Sequence, residues 1–514
     1  MSSLVDIQKR LMSDELIAHI RAKASTPVLL GGYDTRYFHS NLYVEEPIRT
    51  SSIKGLWRWW ARSLLNAAIS EEDDICAKSI VIKDLDTLIG MILGSRDDRS
   101  KYQIVTEILS REGKSRVYEE ITDVPRVKLA KLNEHFLLSG VTFNIDIYRN
   151  GFALKEEDEF AATSLIMALI FDGIGKATSR GFGRLKFERI ESKILSIELK
   201  KIISGIFSPS NYEELERSII KLINEGVKIA RKILQQERIS EQMKRICEEV
   251  KQKRSSEEIG IFPLIETANL NKDFMTVKVL SKNFHDYISV LRAIGNASLK
   301  QYHKAYKISK DVEEDFRKAL KRVENERGHE IHTWLLGLPR AQEPPIIKPP
   351  TNYLNKRLSE IRYKLEKKLR DSLKSYNESL LSNIVKEFTS KISKKGNAIK
   401  IPTGYYFVDL KERRVIEIRR KSPIRFAVIE TASHSYWVVA YMFKTSDWVE
   451  LLFNEGLLLH IGADYIRKNG RIINIREFFV TPIKMGYSDL LSNLNEIFKV
   501  TNDLISKSLA EVRK

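Results

Sequence analysis

D-G-I-G-K-A-T-S-R-G-F-G-R, at Asp172–Arg184, holds four glycines and three basic residues, and it decides the fold of the first part of the chain. Apolar residues at helical spacing predict a helix over about residues 156–171, directly before this stretch. The glycines end that helix, because they are poor helix formers and accept left-handed backbone angles. A strand is predicted at 184–188, directly after the loop. The stretch therefore connects a helix to a strand through a glycine-rich turn.

Further elements are predicted on the N-terminal side of this turn. Alternating residues predict a strand at 141–148, and a helical period of apolar residues predicts a helix at 52–68. Residues 27–30 (P-V-L-L) form another strand candidate, which runs into two glycines. The order strand, helix, strands, helix, glycine-rich loop, strand predicts a ferredoxin-like βαββαβ domain over residues 25–190.

The whole chain is predicted to have an α+β fold, with two ferredoxin-like (RRM-like) domains joined and elaborated by helical segments. We divide it into an N-terminal helix (1–24), the first domain (25–190), a helical bridge (191–258), a second ferredoxin-like domain (259–485) and a C-terminal helix (486–514). Strand candidates of the second domain are 274–280, 404–408, 415–418, 426–430 and 436–443. A charged helical insertion at 351–396, with 12 basic against 5 acidic residues, interrupts this domain. We expect the insertion to project as an arm that the α/β core does not need for folding.

The composition bounds the function. The chain has 514 residues with 86 Lys and Arg against 68 Asp and Glu, a formal net charge of +18. This excess favours a polyanionic partner, although positive charge also serves solubility and heat stability. A hydrophobic content of 43% excludes wholesale disorder, and no apolar run is long enough to span a membrane. Cys76 and Cys247 cannot make a disulfide framework or a zinc cluster, so we expect a protein of the reducing cytoplasm without metal or cofactor.

The stretch Arg49–Arg62 (R-T-S-S-I-K-G-L-W-R-W-W-A-R) combines positive charges and tryptophans with no acidic residue. On a helix, Lys54, Arg58 and Arg62 lie four residues apart and form one basic stripe. One of the two serines can cap the helix, whose first amides lack intrahelical acceptors and can bind an anion. The functional interpretation is a phosphate-binding helix start with rings nearby for bases. The alternative is a tryptophan core with a solvated basic face.

The glycine-rich loop allows two interpretations as well. Successive backbone amides, with Lys176, Arg180 and Arg184, can form an anion-binding concavity. The spacing matches neither a P-loop nor a G-x-G-x-x-G dinucleotide fingerprint. The alternative is a tight turn that binds no ligand.

The two motifs R-T-S-S-I-K-G-L-W-R and G-I-G-K-A-T-S-R-G-F-G-R-L together resemble the RAMP proteins of CRISPR-Cas systems. More narrowly, P-V-L-L-G-G-Y at 27–33, W-L-L-G-L-P-R at 334–340 and S-P-I-R-F at 422–426 resemble the first-numbered subunit family of the type III-B effector, the Cmr complex. The resemblance is sharp over 25–190 and patchy over 260–485. It implies RNA-binding RAMP domains in a non-catalytic subunit that holds the 3′ part of the guide RNA and/or the target RNA paired there, beside other RAMP subunits. The RNA contacts that we place on these motifs are Lys54, Arg58, Arg62, Lys176, Ser179, Arg180, Gly181, Phe182, Gly183 and Arg184.

A second basic cluster lies at 411–425 (K-E-R-R-V-I-E-I-R-R-K-S-P-I-R), with seven basic and two acidic residues. Arg419, Arg420, Lys421 and Arg425 are further candidates for contacts with the RNA backbone. As part of a solvated edge strand they would bind nothing.

Catalytic candidates are few. Some RAMP proteins cut guide precursors without a metal, often through a histidine, and His39 lies in the corresponding region. The alternative function is therefore a metal-independent endoribonuclease that processes guide RNA, and a second alternative is a protein scaffold without direct RNA contact. His329 and His332 share a helix face but lack a third metal ligand.

The ferredoxin-like topology adds one expectation about the two motifs. If the helix start meets the glycine-rich loop, Lys54 and Arg180 hold the same stretch of RNA. Their alanine substitutions should then be non-additive.

Overall fold

The computed structural model describes residues 15–30, 48, 50–95, 100–109, 121, 124–125, 136–138, 140–175, 177–253, 263, 265–298, 306, 318–319, 346–349, 353–409, 414–417, 422–445, 456–468, 471–483 and 487–511. The strands are β1 (Leu16–Ala24), β2 (Val28–Leu30), β3 (Tyr102–Ile108), β4 (Phe136–Leu138), β5 (Thr142–Arg149), β6 (Leu185–Glu191), β7 (Met275–Val279), β8 (Ile346–Ile347), β9 (Ser393–Lys395), β10 (Ala398–Lys400), β11 (Gly404–Asp409), β12 (Arg414–Glu417), β13 (Ile424–Glu430), β14 (Tyr436–Phe443), β15 (Gly456–Lys468) and β16 (Arg471–Ile483). The helices are α1 (Thr50–Glu72), α2 (Asp74–Ser79), α3 (Ile82–Leu93), α4 (Lys155–Phe171), α5 (Ile197–Phe207), α6 (Tyr212–Leu234), α7 (Glu237–Lys253), α8 (Tyr287–Ala297), α9 (Leu354–Ser372), α10 (Glu378–Lys391) and α11 (Tyr487–Glu511).

The chain forms two compact units, each built from separate stretches of sequence. Unit 1 comprises Met1–Lys310, Ile424–Thr445 and Phe498–Lys514, and unit 2 comprises Asp311–Pro423 and Ser446–Ile497. The α+β class is confirmed, because both units combine helices with antiparallel sheets. No helix of the described ranges is long and apolar enough to cross a membrane.

The first sheet of unit 1 has the strand order β3-β5-β1-β6, all antiparallel. Helix α1 follows its first strand and α4 follows its third, which is the predicted βαββαβ order. The predicted strand at 141–148 and helix at 156–171 are confirmed as β5 and α4. The strand after the glycine-rich loop is confirmed as β6.

The first strand of this sheet is not the predicted one. Residues 16–24, which we assigned to an N-terminal helix, form β1 in the interior of the sheet, so the domain begins before residue 25. Buried Ile20, Ala22 and Ala24 alternate along β1 with more accessible residues, which is the two-residue period of a half-buried strand. Val28–Leu30 instead pairs with Phe136–Leu138 in a separate two-stranded ribbon.

The predicted helical bridge is three helices, α5 to α7, that pack into the core of unit 1. Gly226 of α6 shows how closely they pack, because a Cβ there would lie 2.8 Å from the Met167 sulfur and 2.9 Å from a Leu64 methyl group. These helices thicken the helical layer beside α1 and α4. They do not form a separate connecting segment.

The five strand candidates of the predicted second domain are all strands, but they belong to different units. Strands β7, β13 and β14 form a three-stranded antiparallel sheet of unit 1, in the order β13-β14-β7. Strands β11 and β12 pair with β15 and β16 in unit 2. A single domain over 259–485 is therefore wrong.

The charged segment 351–396 does not project as an arm. Apolar residues of α9 and α10, among them Leu365 and Phe388, share one buried core with residues of β11 and β16. The Phe388 and Tyr406 rings meet edge to face with centroids 4.9 Å apart. Because its apolar face is part of the core of unit 2, we no longer expect this segment to be dispensable.

A disulfide bond joins Cys76 of α2 to Cys247 of α7, across a sequence separation of 171 residues. The expectation of two reduced cysteines is therefore corrected. The physical reason is the position of α7, which folds back beside α2 and α3 and brings distant residues together. A single disulfide does not by itself fix the compartment, because intracellular proteins of heat-adapted organisms also contain them.

We expect the Cys247→Ser substitution to lower the free energy of unfolding by about 2–4 kcal/mol, because it frees a long loop in the unfolded chain. Denaturant unfolding with and without dithiothreitol measures the effect. The double variant Cys76→Ser/Cys247→Ser should be insensitive to the reductant. Two free thiols titrated in denatured, unreduced protein would contradict the bond.

Candidate nucleic-acid interface

Helix α1 begins at Thr50, so both predicted capping serines lie in its first turn, where they are exposed. The first turn contains no acidic residue. Its amides have no partners within the helix, and they carry the positive end of the helix dipole. The prediction that a serine caps the helix is wrong, because both serines lie inside it. The helix start nevertheless favours an anion.

The three tryptophans of α1 are buried and cannot stack on bases. Trp57 donates to Ser164 Oγ at 2.8 Å, and Trp60 donates to Asp172 Oδ2 at 2.8 Å. Trp59 packs edge to face against Trp60 with ring centroids 5.4 Å apart. The tryptophans therefore form part of the core, as the second of the two interpretations of this stretch expected. The basic stripe is described separately below.

That stripe lines a cavity of about 920 Å³ between α1 and α3, which we call the basic groove. Lys54, Arg58 and Arg62 come from α1, and Lys83 comes from α3. The described residues that line the groove are Lys54, Gly55, Arg58, Arg62, Lys83, Asp86, Thr87, Gly90, Met91, Gly94, Ser95 and Ser100. They carry four cationic side chains and one carboxylate, so the groove has an excess of positive charge.

The two arginines of the groove are fixed by neighbours. Arg62 donates to Asp86 Oδ1 at 2.7 Å, and Arg58 donates to the Gly94 carbonyl at 2.6 Å while lying 3.8 Å from the same carboxylate. Burial lowers the pKa of Arg58, and the Asp86 charge opposes that shift. The Arg62 side chain is 11% exposed, and its Nε is buried without a hydrogen-bond partner among the described residues. One carboxylate thus compensates two guanidinium groups only in part.

The glycine-rich loop is folded onto unit 1 through its own backbone. Gly173 and Gly183 both have positive φ, and the Ile174 amide donates to the Gly183 carbonyl at 2.9 Å. The Gly183 amide donates to the Pro27 carbonyl, and the Gly181 amide donates to the Thr178 carbonyl. These amides are occupied by protein acceptors, which corrects the predicted anion-binding concavity at these positions.

Phe182 is buried in a small apolar cluster with Leu29 and Leu291, so it is not a base-stacking ring. Gly181 is buried too, and a Cβ there would lie 3.0–3.2 Å from side-chain carbons. The glycines shape a packed turn, which is the alternative that the sequence left open.

Arg184 is fully buried, which overturns its assignment as an RNA contact. Its guanidinium donates to the carbonyls of Phe171, Thr178 and Phe426, the last at 2.6 Å. Burial lowers its pKa, and nearby Tyr441 and Asp172 oppose the shift. Arg184 therefore ties the loop to strand β13.

Arg425 is buried as well, and its assignment as an RNA contact is corrected for the same reason. Its guanidinium donates to Asp172 Oδ2 at 3.1 Å and lies 4.2 Å from the centroid of the Trp59 ring. The remaining basic candidates, Lys176, Arg419, Arg420 and Lys421, lie outside the described residues.

Ser179 and Arg180 remain partly exposed at the edge of β13. The Ser179 carbonyl accepts from the Phe426 amide at 3.3 Å, and Arg180 forms an isolated parallel bridge with Phe426. The described residues that line the basic groove include none from this loop. The groove therefore does not support the expectation that Lys54 and Arg180 share one site. The second lysine that lines the groove with Lys54 is Lys83.

Sequence reasoning missed both Lys83 and His19. Helix α3 was not predicted, although its apolar residues have helical spacing that could have revealed it. His19 lies on β1, with Nδ1 2.5 Å from the Oδ1 atom of buried Asp146 on β5. The predicted histidines 39, 329 and 332 lie outside the described residues. Within the described ranges, no three His, Cys, Asp or Glu side chains are arranged to hold a metal ion.

The βαββαβ sheet with its glycine-rich loop can be compared with known families. The RAMP superfamily matches residues 21–186, from β1 into β6. Residues 21–186 are therefore similar to a RAMP domain. The recognition from the two sequence motifs is thus confirmed, and the basic groove lies within the matched residues.

The relatives extend this comparison beyond the RAMP domain. The CRISPR system CMR subunit Cmr1 of Saccharolobus solfataricus is 34% identical over 220 residues, which are 40% of this chain. The match spans 41% of the length of that relative. A cryo-EM structure of type III-B Cmr-beta bound to cognate target RNA has 15% identity and a TM-score of 0.45, over 95% of this chain and 100% of the other. The crystal structure of Cmr1 from Pyrococcus furiosus has 15% identity and a TM-score of 0.40, over 83% of this chain and 87% of the other.

Proposed function

We propose that this protein is a non-catalytic RNA-binding subunit of a type III-B CRISPR-Cas (Cmr) ribonucleoprotein in the cytoplasm. It would hold the 3′ part of the guide RNA and/or the target RNA paired there, beside other RAMP subunits. The observation that carries the proposal is the basic groove, which lies within the matched RAMP residues. The relative named Cmr1 supports the choice of complex.

The chemistry of the groove suits a nucleic-acid backbone. Lys54 and Lys83 contribute ammonium groups, while Arg58 and Arg62 are held in place by Asp86 and Gly94. Phosphate contacts of this kind supply affinity and position a strand without reading its sequence. We therefore expect weak sequence preference and steep salt dependence.

We also propose that unit 1 is built from two ferredoxin-like halves. Its second sheet follows a βαββ order, in which α8 comes between β7 and β13. Unit 2 consists of two chain segments, 311–423 and 446–497, which are inserted between the sequence segments of unit 1. A duplicated RAMP fold with such insertions would explain why the resemblance to the RAMP proteins is sharp over residues 25–190 and patchy over residues 260–485.

Lys54→Ala and Lys83→Ala are each expected to weaken binding of single-stranded RNA by about 0.5–2 kcal/mol, the range for a partly exposed charged contact. Each should also reduce the slope of log K against log salt by about 0.7. Fluorescence anisotropy with labelled RNA at several salt concentrations measures both quantities. Lys221→Ala, at an exposed position on α6, removes the same charge elsewhere and should have no effect.

Double variants test the geometry of the groove. Lys54→Ala with Lys83→Ala should depart from additivity by more than about 0.5 kcal/mol, because the two residues line one site. Lys54→Ala with Arg180→Ala should be additive. Wild-type binding by both single variants would remove the groove from the RNA path.

The sequence rests the endoribonuclease alternative on His39, which lies outside the described residues, and within those residues the pairing of His19 with Asp146 is the observation that favours it. A carboxylate that orients a histidine is a common acid–base arrangement. Under the proposed function, incubation with labelled repeat RNA should give no specific cleavage. Cleavage that His19→Ala abolishes would favour the enzyme, and the absence of any salt-sensitive RNA binding would favour the scaffold.

A further inference from the structure

Helix α9 of unit 2 has two faces of different character. Leu354, Ile361, Leu365 and Leu369 are buried in the core of unit 2. The helix contains seven Lys and Arg residues against three Asp and Glu residues. The face turned away from the core is therefore strongly basic.

Two tyrosines stand exposed along this helix. Tyr363 is 67% exposed on α9, and Tyr353 is 54% exposed directly before its first residue. Lys356 and Lys367 are seven residues before and four residues after Tyr363, so helical geometry places all three on one side. We call Tyr353, Lys356, Tyr363 and Lys367 the outer face of α9.

The lysines of the outer face differ from the other cations of the helix. Among the described residues, no carboxylate lies within ion-pair distance of Lys356 or Lys367, and both side chains are exposed. The other cations are already engaged. Arg357 pairs with Glu360, Arg362 donates to the Ile392 carbonyl, Lys364 donates to the Ile475 carbonyl, Lys368 pairs with Glu477, and Arg370 pairs with Glu366 and Glu378.

We propose that the outer face of α9 is a second RNA-binding surface, which takes single-stranded RNA. An exposed ring between uncompensated lysines can stack on a base while the lysines contact the flanking phosphates. A protein partner would instead favour an apolar patch, whereas this face has isolated rings among positive charges. The inference rests on the proposed RNA-binding function, but it uses residues that the basic groove does not contain.

The test uses the full-length protein and a fluorescein-labelled 30-nucleotide single-stranded RNA. Tyr363→Ala should weaken binding about five- to tenfold, at the lower end of the range of lost base stacking, whereas Tyr363→Phe should bind like the wild type. Lys356→Ala/Lys367→Ala should reduce the salt slope by about 1.4. Lys221→Ala/Lys244→Ala, at exposed positions of α6 and α7, is the charge-matched control and should change nothing. Blunt duplex RNA, whose bases are already stacked, should not distinguish Tyr363→Ala from the wild type.

The outcomes separate this inference from the proposed function. Unchanged RNA affinity in all α9 variants, with binding still lost in Lys54→Ala and Lys83→Ala, would overturn the inference alone. The same unchanged affinity together with failure to join a reconstituted complex would assign the face to a protein partner. Equal losses in Tyr363→Phe and Tyr363→Ala would exclude ring stacking. If the wild type binds no RNA, both proposals fail together.

Discussion

Asp172→Ala is expected to lower the free energy of unfolding of unit 1 by about 3–5 kcal/mol, the cost of removing one partner from a buried ion pair. The Asp172 carboxylate accepts hydrogen bonds from Trp60, Arg425 and Tyr441 at 2.8, 3.1 and 3.1 Å. Arg425 is only 6% exposed, so the substitution leaves a guanidinium charge in the core without its carboxylate. The network joins α1, the glycine-rich loop and the β13-β14 hairpin, and its loss should loosen all three.

Tryptophan fluorescence during denaturant unfolding measures this effect, because Trp57, Trp59 and Trp60 lie in the core of unit 1. Asp86→Ala is the matched control. It also removes a carboxylate that pairs with arginine, but Asp86 is 41% exposed, so water can take its place and the cost should be smaller than that of Asp172→Ala. Equal effects of the two substitutions would show that the Asp172 network does not hold unit 1 together.

Gly183→Ala is expected to cost about 3 kcal/mol or more, because strain at a positive φ adds to a backbone clash. Gly183 has φ +66°, and a Cβ there would lie 1.8 Å from the Ile174 carbonyl oxygen. That oxygen belongs to the backbone, which cannot move aside without breaking the turn. The loop should detach from β13, and the melting temperature of unit 1 should fall.

Gly55→Ala is the control for the glycine substitution. Gly55 lies within α1, and a Cβ there meets nothing within 4 Å. Alanine should stabilise the helix by about 0.5–1 kcal/mol, because glycine loses more backbone entropy on folding. A Gly183→Ala protein that melts like the wild type would show that the loop backbone can rearrange.

Local sequence patterns were sufficient for the elements around the glycine-rich loop. Helix α4 and strands β5 and β6 follow from periodicity, because residues that face one core repeat at fixed intervals. Strand β1 was missed although it alternates, since the charged residues before it suggested a continuous amphipathic helix. The glycines indicated a turn correctly, because a positive φ is a local property of the backbone.

Which charges bind RNA is a question that only the tertiary structure can address. Arg58 and Arg184 both lie in glycine-containing basic motifs of the sequence, yet Arg58 lines an open groove and Arg184 is fully buried. Arg425 meets Asp172 across 253 residues, and Cys76 meets Cys247 across 171. The sequence by itself determined the resemblance to the RAMP superfamily and the elements α4, β5 and β6, because these depend on neighbours along the chain. The tertiary structure decided which side chains reach solvent, because burial and pairing depend on residues that only folding brings together.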